Sequence, residues 1–76
     1  MRGVFNWNFA DVVRFLKGRN FILGHTEGSH YFYIGTIEGK KRQACVPFHG
    51  TKAFKPQTLK SIIVQSGIPQ KEWLEK

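Results

Sequence analysis

Between Phe21 and Val46 the chain carries three β-prone runs, "FILGH", "HYFYIGTI" and "KRQACV", separated only by "TEGS" and "EGK". Connections this short join antiparallel strands; parallel neighbours need a crossover of about a dozen residues or more. Each connection contains a glycine, which supplies the turn conformations that other residues avoid. The stretch therefore predicts a three-stranded antiparallel meander. Gly35 interrupts the middle run and marks either a bulge or a close backbone approach. Pro47 ends the third run.

Helices flank this meander. Phe9, Val12, Val13 and Leu16 fit the i, i+3, i+4, i+7 stripe of an amphipathic helix, and Phe5 extends the stripe backward. Asn8 is the N-cap, Asp11 suits the positive end of the helix dipole, and Lys17 and Arg19 suit the other end. Asn20 takes the left-handed stop, giving a first helix over about 8–19. After the proline-bounded loop "PFHGTKAFKP", Pro56 opens a second helix with Leu59, Ile62 and Ile63 as its apolar side and Gly67 as its stop. Pro69 then begins a short C-terminal turn or helix, "PQKEWLE". The order is α-β-β-β-α, an α+β sandwich with two helices on one face of the sheet and the other face open. Alternation sends Phe32 and Ile34 to one face and Tyr31 and Tyr33 to the other; both sets are apolar enough to supply the core.

Seventy-six residues are read as one domain, 1–76. A chain of this length buries only about 60% of its unfolded surface, so a ligand is met on an open face rather than in an enclosed pocket. The formal charge of +7 attracts polyanions: nucleic acid, anionic lipid or an acidic protein. From Gly39 to Gln70 there is no acidic residue, while Lys40, Lys41, Arg42, Lys52, Lys55 and Lys60 fall in that span. Because the run is interleaved with strand and turn residues, it reads as a binding face rather than a solvated tail. A single cysteine, Cys45, excludes an internal disulfide framework and fits a reducing cytoplasm. No apolar run is long enough for a membrane span, and Met1-Arg2-Gly3 lacks the apolar region of a signal peptide.

Three histidines, His25, His30 and His49, carry the candidate chemistry. With "TEGS" as a four-residue loop, His25 and His30 face each other across the first two strands. Cys45 and His49 complete a nominal zinc set, but the spacing matches no compact zinc ribbon, and no metal is expected. A free imidazole exchanges protons near neutral pH without special burial, which suits a small open site. Attack of an RNA 2′-hydroxyl on its own phosphate needs a proton acceptor, a proton donor and cations for the phosphate charge. His30 and the basic span are of the right types. On the residues alone, an ordinary exposed histidine remains the better account of His30. Ser29 beside it lacks an acid to orient the imidazole and serves better in a turn hydrogen bond. Cys45 reads as a small hydrophobe. One or two of Tyr31, Phe32 and Tyr33 are free to stack on bases.

Two segments change the balance. "NFILGHTEGSHYFY" resembles the Gly-Ser-His signature of HicA-type mRNA interferase toxins, and "VPFHGTKAFKPQTLKSIIVQSGIP" resembles their Val-Pro-x-His and following helix segment. The likeness runs from about Phe9 to Leu74. It implies a fold like the double-stranded-RNA-binding domain and an endoribonuclease that cuts mRNA without a metal or other cofactor. It further implies His30 as the catalytic histidine, supported by Gly28 and Ser29 of the same motif and by His49 of the second. The partners it implies are mRNA and a HicB-type antitoxin, expected to be acidic. Two positions depart from the pattern: Asn20 stands where glycine is usual, and Phe48 where a basic residue is frequent. "MRGVFNW" is longer than the pattern and is read as core padding or a partner contact.

The resulting expectation is a cytoplasmic RNA-cleaving toxin. His30 is the general acid or base, and Lys40, Lys41, Arg42, Lys52 and Lys55 are the RNA contacts. The alternatives are a non-catalytic RNA-binding module of the same fold, or a protein-interaction domain whose basic face serves an acidic partner.

Overall fold

The computed structural model describes residues 6–74. The order is α1 (Phe9–Gly18), β1 (Ile22–Glu27), β2 (His30–Ile37), β3 (Lys40–Pro47), α2 (Pro56–Ser66) and α3 (Gln70–Leu74). The strands form one antiparallel sheet in the order β1-β2-β3. This is the α-β-β-β-α layout expected, with the C-terminal turn realised as α3. Phe5 and the rest of 1–5 lie outside the described residues.

Helix α1 starts where a reciprocal cap forms. The Asp11 N–H donates to Asn8 Oδ1 at 2.9 Å, and the Asn8 N–H donates to the Asp11 carboxylate at 3.0 Å. Asn20 sits beyond its end at φ 69°, the left-handed stop. The buried stripe is Val12, Phe15 and Leu16, with Phe9 and Val13 at its margin. Phe15 was outside the expected stripe; it turns inward because it meets two tryptophans. Trp7, Phe15 and Trp73 pack ring against ring, with centroids 5.7, 5.4 and 4.2 Å apart. Arg19 at the end of α1 pairs with Glu72 and covers the Phe15 ring at 4.8 Å. Trp7, at the end of the N-terminal stretch, thus belongs to the core.

The helices cover the face that carries Tyr33, Ala44 and Val46, so the tyrosine set of β2 is buried and the Phe32/Ile34 set faces outward. Gly35 lies on the covered side. A methyl group there would come within 2.5 Å of the Phe21 ring, so this glycine marks a close approach. The bulge is elsewhere. In β1 the register shifts between Leu23 and His25, leaving Gly24 unmatched beneath Ile34.

Along α2, Leu59, Ile62 and Ile63 are buried, and the helix stops at Gly67 with φ 75°. Ser66 is buried too, but satisfied: its hydroxyl donates to the Ile63 carbonyl at 2.7 Å and accepts from the Ile68 N–H at 3.1 Å. Among the described residues no helix is long and apolar enough to cross a membrane.

Candidate active site

The Gly28-Ser29 turn places His30. Glu27 pairs with His30, so only two residues join β1 to β2, and Gly28 at φ 59° occupies the first position, where a tight hairpin turn of this kind uses glycine. His30 is the first residue of β2 and alternates with Phe32 and Ile34 on the open face, where its side chain is exposed.

The same register corrects the expectation that His25 faces His30. His25 pairs with Phe32 and stacks on its ring, with centroids 4.5 Å apart and planes within 2°. Its Nε2 lies 3.4 Å from the Glu27 carboxylate. The reason is the turn. A two-residue loop moves the partner of His25 along by two positions, from His30 to Phe32, relative to the four-residue loop that would have matched the histidines. Among the described residues no three His, Cys, Asp or Glu side chains gather as a metal site. Cys45 is half-buried, and burial first and the Glu27 charge second push its thiol pKa above the ordinary 9.0, so it stays protonated at neutral pH.

The second motif is tied directly to the first. His30 pairs with Pro47 at the end of β3, and one step further the Phe48 N–H donates to the Ser29 carbonyl at 2.8 Å. The loop that follows is held from the other side, where the Phe54 N–H donates to the Trp7 carbonyl at 2.8 Å. Phe48 itself, where the resemblance leads one to expect a basic residue, packs edge-on against Phe9 at 5.0 Å and forms an aromatic corner with Tyr31. It serves packing at that position.

Helix α2 runs beside β3. Its Gln65 carbonyl oxygen accepts the outward Cys45 N–H at 3.1 Å, so a side chain occupies part of the strand edge. Between helix and strand lies a groove of about 480 Å3, lined by His30 and Pro47 on the sheet side and by Gln57, Thr58, Ser61 and Gln65 on the helix side. A second hollow of about 340 Å3 is lined by His49, Phe54, Lys52, Lys55 and again Thr58, so the two adjoin. His49 rests edge-on against Phe54 at 5.7 Å. Lys55 is the N-cap of α2 and makes no side-chain cap, which leaves the first-turn N–H groups to add to the positive potential of Lys52 and Lys55.

The structure therefore divides the predicted site residues. His30, His49, Lys52 and Lys55 line the two hollows, while Gly28 and Ser29 form the turn that leads into His30. Lys40 and Lys41 do not: Lys40 lies seven steps along β3 from Pro47, about 23 Å at the rise of a strand. Arg42 turns to the covered side. Its Nε is buried without a hydrogen-bond partner among the described residues and lies against Gly67 at the end of α2, where a cation suits the helix dipole. Sequence reasoning missed Gln57, Thr58, Ser61 and Gln65. Their helical spacing traces a polar stripe beside the apolar one, and that stripe is the signal in the sequence that marks them.

The sequence model of the HicA toxin of bacterial toxin–antitoxin systems matches residues 9–68. This chain belongs to that family. It is accordingly a toxin of a toxin–antitoxin pair, and family membership implies an antitoxin partner. No curated relative and no solved structure matched it. The matched span begins at the first residue of α1 and ends just past α2, so both hollows of the toxin fall within it.

Proposed function

We propose that the toxin is an endoribonuclease that cleaves mRNA, with His30 as its proton-transfer group, and that a HicB-type antitoxin neutralises it. One observation carries this reading. The His30–Pro47 pairing and the Phe48-to-Ser29 hydrogen bond join both motifs at a single open groove, with lysines at its far end.

The chemistry is transesterification. The 2′-hydroxyl oxygen attacks the adjacent phosphorus, and its proton passes to the His30 imidazole. The P–O bond to the 5′-oxygen breaks, and that oxygen takes a proton as it leaves. The products are a 2′,3′-cyclic phosphate and a free 5′-hydroxyl. Lys52 and Lys55 oppose the charge that builds on the phosphate oxygens. His49, in the adjoining hollow, and water entering the open groove are the sources of the second proton. An acidic antitoxin laid over this end would meet complementary charge.

Expression of the wild type and of His30→Ala from a tightly controlled promoter tests the reading. The wild type is expected to arrest growth and deplete mRNA. His30→Ala, altered only at an exposed side chain, should keep its fold and its salt-sensitive RNA binding but lose about a hundred- to ten-thousand-fold in cleavage. Equal harmlessness or equal toxicity of the two chains refutes the role of His30. RNA binding by a wild type that never cleaves leaves the non-catalytic module as the answer.

A further inference from the structure

We propose that the groove between β3 and α2 seats one unpaired RNA nucleotide next to the scissile phosphate, with Ser61 and Gln57 as the side chains that hold it. The inference rests on the RNA-cleavage reading and extends it to residues outside both motif histidines and the lysines.

The hydrogen bonding of the groove wall sets what it can bind. The Cys45 N–H is a donor, so the oxygen of Gln65 must be the atom that meets it, at 3.1 Å. This orients the Gln65 amide nitrogen toward Ser61 Oγ, to which it donates at 3.0 Å. Ser61 is thus an acceptor in that bond, and its own O–H proton remains to be given to a ligand. The chain Cys45–Gln65–Ser61 is anchored on the sheet, so the donor is held before any ligand arrives. Gln57 and Thr58, on the same side of the groove, engage in no side-chain hydrogen bond among the described residues. Gln57 offers both a donor and an acceptor, as the edge of a base requires.

Shape agrees with this chemistry. The volume of about 480 Å3 lies within the range of about 300–1,000 Å3 typical of small-ligand sites. Pro47 and Ile62 provide apolar surface beside the polar groups. His30 stands at the sheet side, while Thr58 leads into the hollow of Lys52 and Lys55. A nucleotide whose base enters the first hollow can send its phosphate backbone toward the second, past His30. A base-paired nucleotide cannot enter, because its hydrogen-bonding edge is already engaged.

The test uses the full chain carrying His30→Ala, so that RNA stays intact, with 15N labelling. It is titrated with a single-stranded RNA hexamer of mixed sequence, with the same sequence as a duplex, and with inorganic phosphate. The hexamer should shift the amide signals of Gln57, Thr58, Ser61 and Gln65, and phosphate alone should leave Ser61 and Gln65 unmoved. Adding Ser61→Ala or Gln57→Ala should weaken hexamer binding about fivefold each, the usual worth of one hydrogen bond, while Lys71→Ala should not. Shifts confined to other parts of the sheet overturn the proposal, as does an equal response to phosphate or to duplex. The two readings separate cleanly. A wild type that does not cut RNA, with the hexamer still seated at Ser61 and Gln57, sinks cleavage and keeps the seat. A wild type that cuts, with affinity and cut pattern unchanged by both substitutions, sinks the seat and keeps cleavage.

Discussion

Replacing Gly35 by alanine should destabilise the toxin although the residue lies in mid-strand, where alanine is normally the better tolerated of the two. The new methyl carbon would sit 2.5, 2.6 and 2.7 Å from three carbons of the Phe21 ring. Comfortable carbon–carbon contact begins near about 3.5 Å, so the ring must retreat by about 1 Å. It has little room to do so, since Phe21 is only 1% exposed. Forcing an extra methyl into a packed core costs about 1–3 kcal/mol, against a gain of about 0.5–1 kcal/mol from removing a strand glycine. The net loss is about 1–2 kcal/mol. With a urea slope of about 1 kcal/mol/M for so small a chain, the unfolding midpoint should fall by about 1–2 M. Equilibrium urea unfolding followed by tryptophan fluorescence reads this directly. Phe21→Leu combined with Gly35→Ala should recover part of the loss relative to the sum of the single changes. A midpoint for Gly35→Ala equal to or above the wild type would refute the claim that Gly35 marks a close approach of the Phe21 ring.

Two further outcomes follow from the same structure. Lys52→Ala with Lys55→Ala should weaken single-stranded RNA binding and flatten its salt dependence by about 1.4 in log–log slope. Lys40→Ala with Lys41→Ala, about 20–23 Å along the sheet from His30, should change the slope less; filter binding at several salt concentrations decides, and a reversed order would place the RNA at the other end of the sheet. At alkaline pH, Cys45 keeps its proton in the folded chain after an unfolded thiol, with its ordinary pKa of 9.0, has lost it. Stability is therefore full below about pH 9 and falls as pH rises through the folded value, with Tyr33 adding to the loss above its ordinary 10.0 because burial, and then Tyr31, raise it. Urea midpoints from pH 8 to 11 should decline, and a flat profile would contradict the burial of both groups.

Much of the fold was legible because local rules were enough. Asn8 with Asp11, Pro56 and Gly67 each act over three or four residues, and the structure uses them as read; both glycine turns fall where expected, the one at Gly28 with a tighter loop. Where sequence erred or left a choice open, the deciding partner was in most cases distant in the chain. Phe15 turns inward because Trp7 and Trp73 are there to receive it, and Trp73 lies on another helix. Of the two readings open for Gly35, the Phe21 ring decides for the close approach, and the bulge belongs to Gly24. The loop around Gly28 could be counted as four residues or two, and that single choice separated His25 from His30.

The candidate site divides in the same way. Sequence alone determined the order of elements and the excess of positive charge, and it carries the two motifs whose resemblance to the family points to His30, since each is legible along the chain. Only the tertiary structure decided which sheet face is covered, because both faces of β2 are apolar and the helices choose between them. It also sorted the lysines: charge is counted along the chain, but a strand carries Lys40 and Lys41 away from His30 while a loop brings Lys52 and Lys55 to the hollow that adjoins the His30 groove at Thr58. And it joined Gln57, Ser61 and Gln65 to the groove, because a helix packed beside a strand edge creates a surface that neither element has by itself.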